Sequence, residues 1–595
     1  MKFFSDLSQK AVASFKRFPI TLIWVVIGSF YLIGIYSVDD YKFIDNYTDI
    51  QLTLVLGVSW FIALQFVSES LKHSVVFRFL LKLVVLCGLI SFYFYIENIN
   101  GDIASVVYGQ WTLLLLAGHV FLVFAPFLQT WNKNKFWDYL KSIIHAVLRS
   151  SLYALILYIG LAIAISALEI LFKVEFNSYI YLQTFIFCLG IVNTFVYLND
   201  FPKLDKLQEQ VKLSKAGEVL ILYILMPLSL LYLLIVYVYA LKILIDWELP
   251  EGWVTVLISA LSLLAFIIHI AIEPVRKTHA FKLIKNFFPY YFYAILPLLP
   301  LLFIALYRRI ADYNFTEWRY LGLVLAVWIS GMLIYMLISS QKALSLYAKS
   351  MFVLILLCTF GPLSAFKISL NAQVNELGEL MQNLENKTEL SFTAEEYERF
   401  KSIIRYISDR DAMQRTEAYF GFNPETTFSE SSSYNIPRKI VDHLKIEVAP
   451  SNDNSNIYNN NLNIYRNYYL NTFKPNYAEE ITDFTHYTEL YLENKLDMEK
   501  ALLLHFSDKN IISFRYYDEV LFETDMTTHL KTMADKYDDL NQASQDEFTF
   551  RFKNEQGDFL MIFDRLRYNY ENSEIKILNG HAKLFYRTYM GLELP

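Results

Sequence analysis

Residues 150–171 read SSLYALILYIGLAIAISALEIL, and Glu169 is the only formal charge in the run. An α-helix rises about 1.5 Å per residue, so about 20 consecutive apolar residues cross the hydrocarbon core of a bilayer. A run this long and this apolar reads as a transmembrane helix. Working outward from it, the same pattern recurs near 19–38, 52–68, 75–95, 108–128, 179–198, 217–245, 253–272, 286–307, 319–340 and 345–366, eleven spans in all. The composition fits: 55% hydrophobic, 17% aromatic and only 19% charged residues, with mean hydropathy +0.31. The expected fold is a membrane all-α helical bundle of about 11 transmembrane helices, followed by a soluble α+β domain with a mostly antiparallel sheet.

The loops alternate in charge. One set carries Lys72, Arg78 and Lys82, then Lys133, Lys135, Lys141 and Arg149, then Lys203, Lys206, Lys212 and Lys215, then Arg276, Lys277, Lys282 and Lys285, then Lys342 and Lys349. The opposite set, at 38–49, 97–102 and 246–252, is acidic or nearly bare. Positive loops stay in the cytoplasm. The N-terminus is therefore expected inside, and an odd number of spans puts residues 370–595 outside. One loop breaks the pattern: YRRIADYNFTEWRY at 307–320 places Arg308, Arg309 and Arg319 on the expected outer side, with Asp312 and Glu317 near enough to pair with them. It reads either as a neutralised rim anchoring two spans or as a contact for a ligand or lipid headgroup, since Arg suits phosphate.

Residues 1–18 carry Phe4, Leu7, Ala11, Phe15 and Phe18 on one helical face and no small-residue cleavage site. They read as an interfacial amphipathic helix, the alternative being an ordinary basic N-terminus. The domain boundaries expected are 1–18, a multi-pass region 19–368, a helical connector 369–447 and a β-rich soluble domain 448–595.

Polar groups inside membranes are costly and often functional. The candidates are His119, Asn193 and the pair His269 and Glu273, which lie one turn apart on one helix face. That pair reads as an interhelical hydrogen-bond site or a proton relay. The ninth span contains Pro289, Pro297 and Pro300, which bend or break it. Basic amphipathic stretches precede spans one, five and nine, at 15–20, 136–150 and 281–291, a weak hint of a four-span repeat.

Beyond residue 368 the chain turns polar. Residues 371–387 look helical, a capping box Thr393–Glu396 opens a second helix striped with Tyr397, Phe400, Ile404 and Ile407, and 436–444 suggests a third. An Asn-rich stretch, 451–471, reads as a long loop or as short strands joined by Asn turns. Phe548, Phe550 and Phe552, then Phe559, Met561 and Phe563, alternate with polar residues on either side of NEQG, a hairpin signal. ALLLHFS and IISFRYY form another around DKN, and ILNGHAKLFYRTY reads as a last pair or a single bent strand.

Motifs with a mechanism are missing: no HExxH, Walker A, GxGxxG, GxSxG or CxxC occurs. Cys87, Cys188 and Cys358 lie in apolar runs, so the soluble part has no disulfide. His443, His486, His505, His529 and His581 are scattered, and no metal, cofactor or nucleic-acid partner is expected. Charged runs such as Asp409-Arg410-Asp411 and Asp538-Asp539 read as solvated faces.

Two stretches carry a resemblance. RRIADYNFTEWRYLGLVLAVW (308–328) and GPLSAFKISLNAQVNEL (361–377) are similar to a bacterial multi-pass membrane family, domain-of-unknown-function family 4153. Its first pattern maps to Arg309, Ile310, Tyr313, Thr316, Glu317, Arg319 and Tyr320, with Asn314 where Gly is usual; both tolerate left-handed backbone. Its second maps to Gly361, Pro362, Ser364, Ala365, Phe366, Ser369 and Gln373. The resemblance implies a bacterial cytoplasmic (inner) membrane location and brings no activity. The expected function is a non-catalytic envelope protein that binds, senses or assembles. The alternatives are a transporter or lipid-handling protein and, last, a membrane enzyme. Expected partners are membrane lipids, and an envelope protein or lipid headgroup at the external junction of the two motifs.

Overall fold

The computed structural model describes residues 2–38, 47–71, 75–97, 105–174, 176–208, 213–246, 253–276, 281–339, 343–387, 390–428, 436–448, 462–463, 486–493, 502–507, 510–516, 519–536, 545–554, 557–571 and 574–588. The acidic loops, Lys72, Lys212, Lys277 and Lys342, nearly all of the Asn-rich stretch, Asp538 and Asp539 lie outside the described residues. The chain divides into two compact units, Met1–Val448 and Ala449–Pro595.

The first unit is helical. Its helices are α1 (Lys2–Arg17), α2 (Pro19–Ile35), α3 (Thr48–Ser70), α4 (Val75–Glu97), α5 (Ser105–Phe124) and α6 (Lys133–Phe172). Next come α7 (Ile180–Asp200), α8 (Lys215–Asp246) and α9 (Trp253–Ile272). Then follow α10 (Lys282–Ile295), α11 (Leu298–Tyr313), α12 (Glu317–Ile338), α13 (Ser345–Thr359), α14 (Ala365–Glu385), α15 (Ala394–Ser408) and α16 (Ile436–His443). Eight of them, α3 to α9 and α12, are long and apolar enough to cross a membrane, and α1–α2 and α10–α11 are bent pairs that meet the same test together. The spanning window of α6 has none of its residues buried. Side chains such as Ile156 and Ile163, at 60% and 65% exposed, suit lipid and not water. The protein is an integral membrane protein.

Local chemistry explains the breaks. Pro19 occupies the first position of α2, where its missing N–H costs nothing. The chain turns 110° there, over the buried Phe18. Arg17 fixes the corner: Nε and Nη2 donate to the two carboxylate oxygens of Glu69 at 2.8 Å each, and the guanidinium also donates to the carbonyls of Phe201 and Pro202. The basic stretch before the fifth span and the span itself are one 40-residue helix, α6, capped by the Asn132 side chain. The three basic stretches thus meet their spans differently, by a corner, a straight run and a kink. In α10, Phe288 leaves helical geometry (φ −101°, ψ 132°) just before Pro289, and α11 departs at 40°.

Some glycines mark close helix packing and others do not. A Cβ built on Gly109 of α5 would sit 2.6 Å from the Phe366 ring, whereas one on Gly160 of α6 meets nothing within 4 Å. Gly109→Ala is expected to destabilise by about 1–3 kcal/mol. Gly160→Ala should be neutral or slightly stabilising in the same thermal-shift measurement, and equal midpoints for the two variants would refute the packing argument.

Helices α14, α15 and α16 belong to the same unit as the spans. Thr393 and Glu396 form the expected capping box at the start of α15. Phe400, Ile404 and Ile407 pack with Leu377 and Ile440 in one core, which a short parallel pair, β1 (Ser391–Phe392) with β2 (Glu447–Val448), closes.

The second unit is a sheet of β3 (Leu462–Asn463), β4 (His486–Glu493), β5 (Leu502–Phe506), β6 (Ile511–Tyr516), β7 (Glu519–Asp525), β8 (Thr549–Lys553), β9 (Gly557–Glu571) and β10 (Glu574–Thr588). The order is β3-β9-β10-β4-β5-β6-β7, with β8 also on β9. The Phe-rich hairpin is present, Phe550 facing Met561 and Phe552 facing Phe559. The β4–β5 pair is parallel, so the sheet is mixed. The last segment is a single long strand with two register shifts. A helix the sequence reading left out, α17 (Thr527–Lys536), interrupts the strands and adds Leu530 and Met533 to the core.

Candidate functional site

The two motif stretches meet in the first unit. α11 ends at Asn314, whose φ of 54° is the positive backbone angle that Asn tolerates. The Asn314 amide donates to the Ala372 carbonyl (3.4 Å), Gln373 Nε2 donates to the Phe315 carbonyl (3.0 Å), and the Tyr320 hydroxyl donates to the Leu363 carbonyl (3.0 Å). Gly361, at φ 86°, makes the turn that lets the chain re-enter as α14. Arg319 turns inward and donates to the Asn314 carbonyl at 2.9 Å. Ser364 is buried and donates to Thr359, and Ser369 is fully buried. Thr316 is the N-cap of α12, though its hydroxyl makes no capping bond. Arg308 and Arg309 are exposed on the last turns of α11; the Tyr313 and Asp312 side chains lie outside the described set.

Glu317 finds its hydrogen-bond partners outside its own loop. Its two oxygens take a bidentate pair of hydrogen bonds from Arg410, both 2.8 Å, and a third from the Tyr406 hydroxyl at 2.8 Å. The reason is geometric: Arg319 sits two positions on, across the helix from Glu317, while the end of α15 brings Arg410 straight to it. The Arg410 guanidinium also lies 3.4 Å from the Tyr406 ring centroid. Burial, reinforced by the Glu317 charge, holds the Tyr406 phenol above its ordinary pKa, so it stays a donor. Arg410, read from sequence as part of a solvated run, is instead an inward-facing anchor. Beside it Lys401, Arg405, Tyr406 and Asp409 line an open surface groove of about 390 Å³.

A second polar cluster lies elsewhere in the first unit, with its Tyr347 ring 6.4 Å from that of Trp328 on α12. His269 is fully buried, with Nδ1 3.1 Å from the Tyr347 hydroxyl and Nε2 3.5 Å from Glu273. Glu273 accepts from Arg276 Nε at 2.7 Å and faces Lys133 at 3.6 Å. Arg276 also donates to the Phe288 carbonyl (3.1 Å), which the break before Pro289 has removed from the helix ladder. The His269 ring stacks on Phe288, centroids 4.3 Å apart. This cluster joins α6, α9, α10 and α13. Sequence spacing paired His269 with Glu273, but nothing local signals Tyr347, 78 positions away.

The other intramembrane candidates stand apart. His119 is exposed on α5 and bonds the Leu115 carbonyl of its own helix. Asn193 follows the π turn Ile186–Val192 of α7, its Oδ1 buried with no hydrogen-bond partner among the described residues. Among the described residues no three His, Cys, Asp or Glu side chains converge as a metal requires.

The family described as "Domain of unknown function (DUF4153)" matches residues 52–375, more than half of the chain. The chain belongs to this family. "Uncharacterized protein PM1469" of Pasteurella multocida (strain Pm70) is 28% identical over 196 residues, a match that spans 32% of each chain. No solved structure matches. In this DUF4153 protein the whole His269 cluster and Glu317 fall inside the matched region, whereas Arg410 and Tyr406 fall beyond its end.

Proposed function

We propose that this chain crosses the bacterial cytoplasmic membrane eleven times, with its N-terminus in the cytoplasm and residues 369–595 outside. In that position it acts as a non-catalytic envelope protein that binds, senses or assembles. Among the described residues eight helices and two bent pairs meet the length and composition test, and counting the shorter apolar helix α13 as a further span supports an odd number. Residues 1–18 lie at the interface, 369–447 form the connector and 448–595 the β-rich domain, which carries the contacts to an envelope partner. The observation that carries the reading is the Glu317–Arg410–Tyr406 interlock. A charged network of this kind fixes a folded segment on the spans, as a presenting scaffold requires. A second reading, transport or lipid handling, draws on the buried charges at the break of α10.

Sidedness is the first test. With Cys87, Cys188 and Cys358 replaced, a cysteine at the exposed Gln382 of α14 is expected to react with a membrane-impermeant maleimide in intact cells whose outer membrane is permeabilised. Labelling only after lysis would place the domain in the cytoplasm and end the envelope reading. For transport, a Glu273→Gln protein that folds normally and lacks function would favour the second reading; joint loss of fold and function favours a scaffold.

A further inference from the structure

The charge exception in the 307–320 loop persists in the folded protein. Within 304–320 the sequence has three arginines and two carboxylates, and one of those carboxylates, Glu317, is taken by Arg410 of another segment. Arg319 is turned inward. Arg308 and Arg309 stay exposed at the end of α11, and Lys367 is exposed in the first turn of α14. These cations lie at one rim, because α11 and α12 are joined by three residues and the Tyr320–Leu363 bond brings the 361–364 turn beside α12. The same rim exposes large apolar groups: Tyr307 at 74%, Trp318 at 85% and Leu363 at 49%. Tyr and Trp partition to the headgroup level of a bilayer, and Arg is the side chain best matched to phosphate.

We infer that this rim binds phospholipid phosphate: Arg308 and Arg309 hold the headgroup, with Lys367 adding charge, while Tyr307, Trp318 and Leu363 lie against the glycerol and upper acyl region. The inference rests on membrane integration and not on which face the rim occupies. Arg308, Arg309 and Lys367 together put three exposed cations at one rim.

The test uses the full-length protein in bilayer nanodiscs with photoactivatable phosphatidylglycerol, and peptide mapping by mass spectrometry as the readout. Residues 304–320 are expected to be labelled, and Arg308→Ala/Arg309→Ala should reduce that labelling roughly 25-fold, at about fivefold per cation. Labelling of other peptides and the thermal midpoint should be unchanged. Arg308→Lys/Arg309→Lys keeps the charge and should keep labelling within about threefold. A photoactivatable diacylglycerol, which lacks the phosphate, should label the rim weakly. Equal labelling of the Ala variant, or a Lys variant as poor as the Ala variant, overturns the proposal. Loss of labelling under excess inorganic phosphate would reassign the rim to a free anion.

Discussion

Glu273→Gln is expected to cost about 3 kcal/mol, lowering the thermal midpoint on the order of 5 °C. The carboxylate is 8% exposed and faces Arg276, His269 and Lys133 at once. Removing its charge leaves Arg276, itself 16% exposed, without a counter-ion in a place that water barely reaches. Arg276→Ala should cost less, because Glu273 keeps Lys133 and His269, but it frees the Phe288 carbonyl at the break. His269→Phe keeps the ring against Phe288 and loses the Tyr347 contact, so a fall of about 1 kcal/mol is expected. The order Glu273→Gln, then Arg276→Ala, then His269→Phe is the checkable content. Amide exchange in α10 should rise most in the Arg276 variant, whose guanidinium alone reaches that helix's carbonyl. Midpoints within a degree of the wild type for all three variants would mean that the cluster is solvated and does not hold the break.

Much of this architecture is written locally and is therefore readable. Apolar runs of about 20 residues form helices because a helix satisfies every backbone group within a single segment in lipid. The Thr393–Glu396 box capped α15 as its spacing requires, and the Phe550/Met561 alternation became a hairpin. Boundaries failed where the sequence carries no punctuation: no Pro or Gly lies between Lys133 and Tyr158, so the amphipathic stretch and the fifth span run on as one helix. The parallel β4–β5 pair was not legible, since alternation fixes the face of a strand and not its direction. Helix α17 did leave a signal: Asp525 caps Thr527, and Met526, Leu530 and Met533 share a helical face. The strand-like residues on either side masked it.

The candidate sites divide in the same way. His269 and Glu273 are four residues apart and were found; Lys133 and Tyr347 reach them only through the tertiary fold. Glu317 stands out in the sequence, but its local spacing points only to the arginines of its own loop. Arg410, 93 positions away, wins by geometry: a planar guanidinium opposite a planar carboxylate forms two bonds at once. Its spacing from Tyr406, one helical turn, is the one trace of this role in the sequence.

That pairing makes a second strong prediction. Glu317 and Arg410 are 12% and 14% exposed, so either single alanine substitution should destabilise the docking of α14 and α15 by about 2–3 kcal/mol. The double variant should cost little more than either single one, giving a coupling of about 2 kcal/mol in the double-mutant cycle. Tyr406→Phe removes one hydrogen bond to the carboxylate and should cost about 1 kcal/mol. The effects should appear as faster amide exchange in α15 and at the start of α5, whose Ser105 donates to the Asp409 carbonyl, and as faster proteolysis of the 386–393 connection, with the exchange of α6 to α8 unchanged. A coupling below about 0.5 kcal/mol, the value typical of an exposed surface pair, would show that the connector is held by its apolar contacts alone. The scaffold reading would then lose the observation that carries it, whatever the sidedness experiment returns.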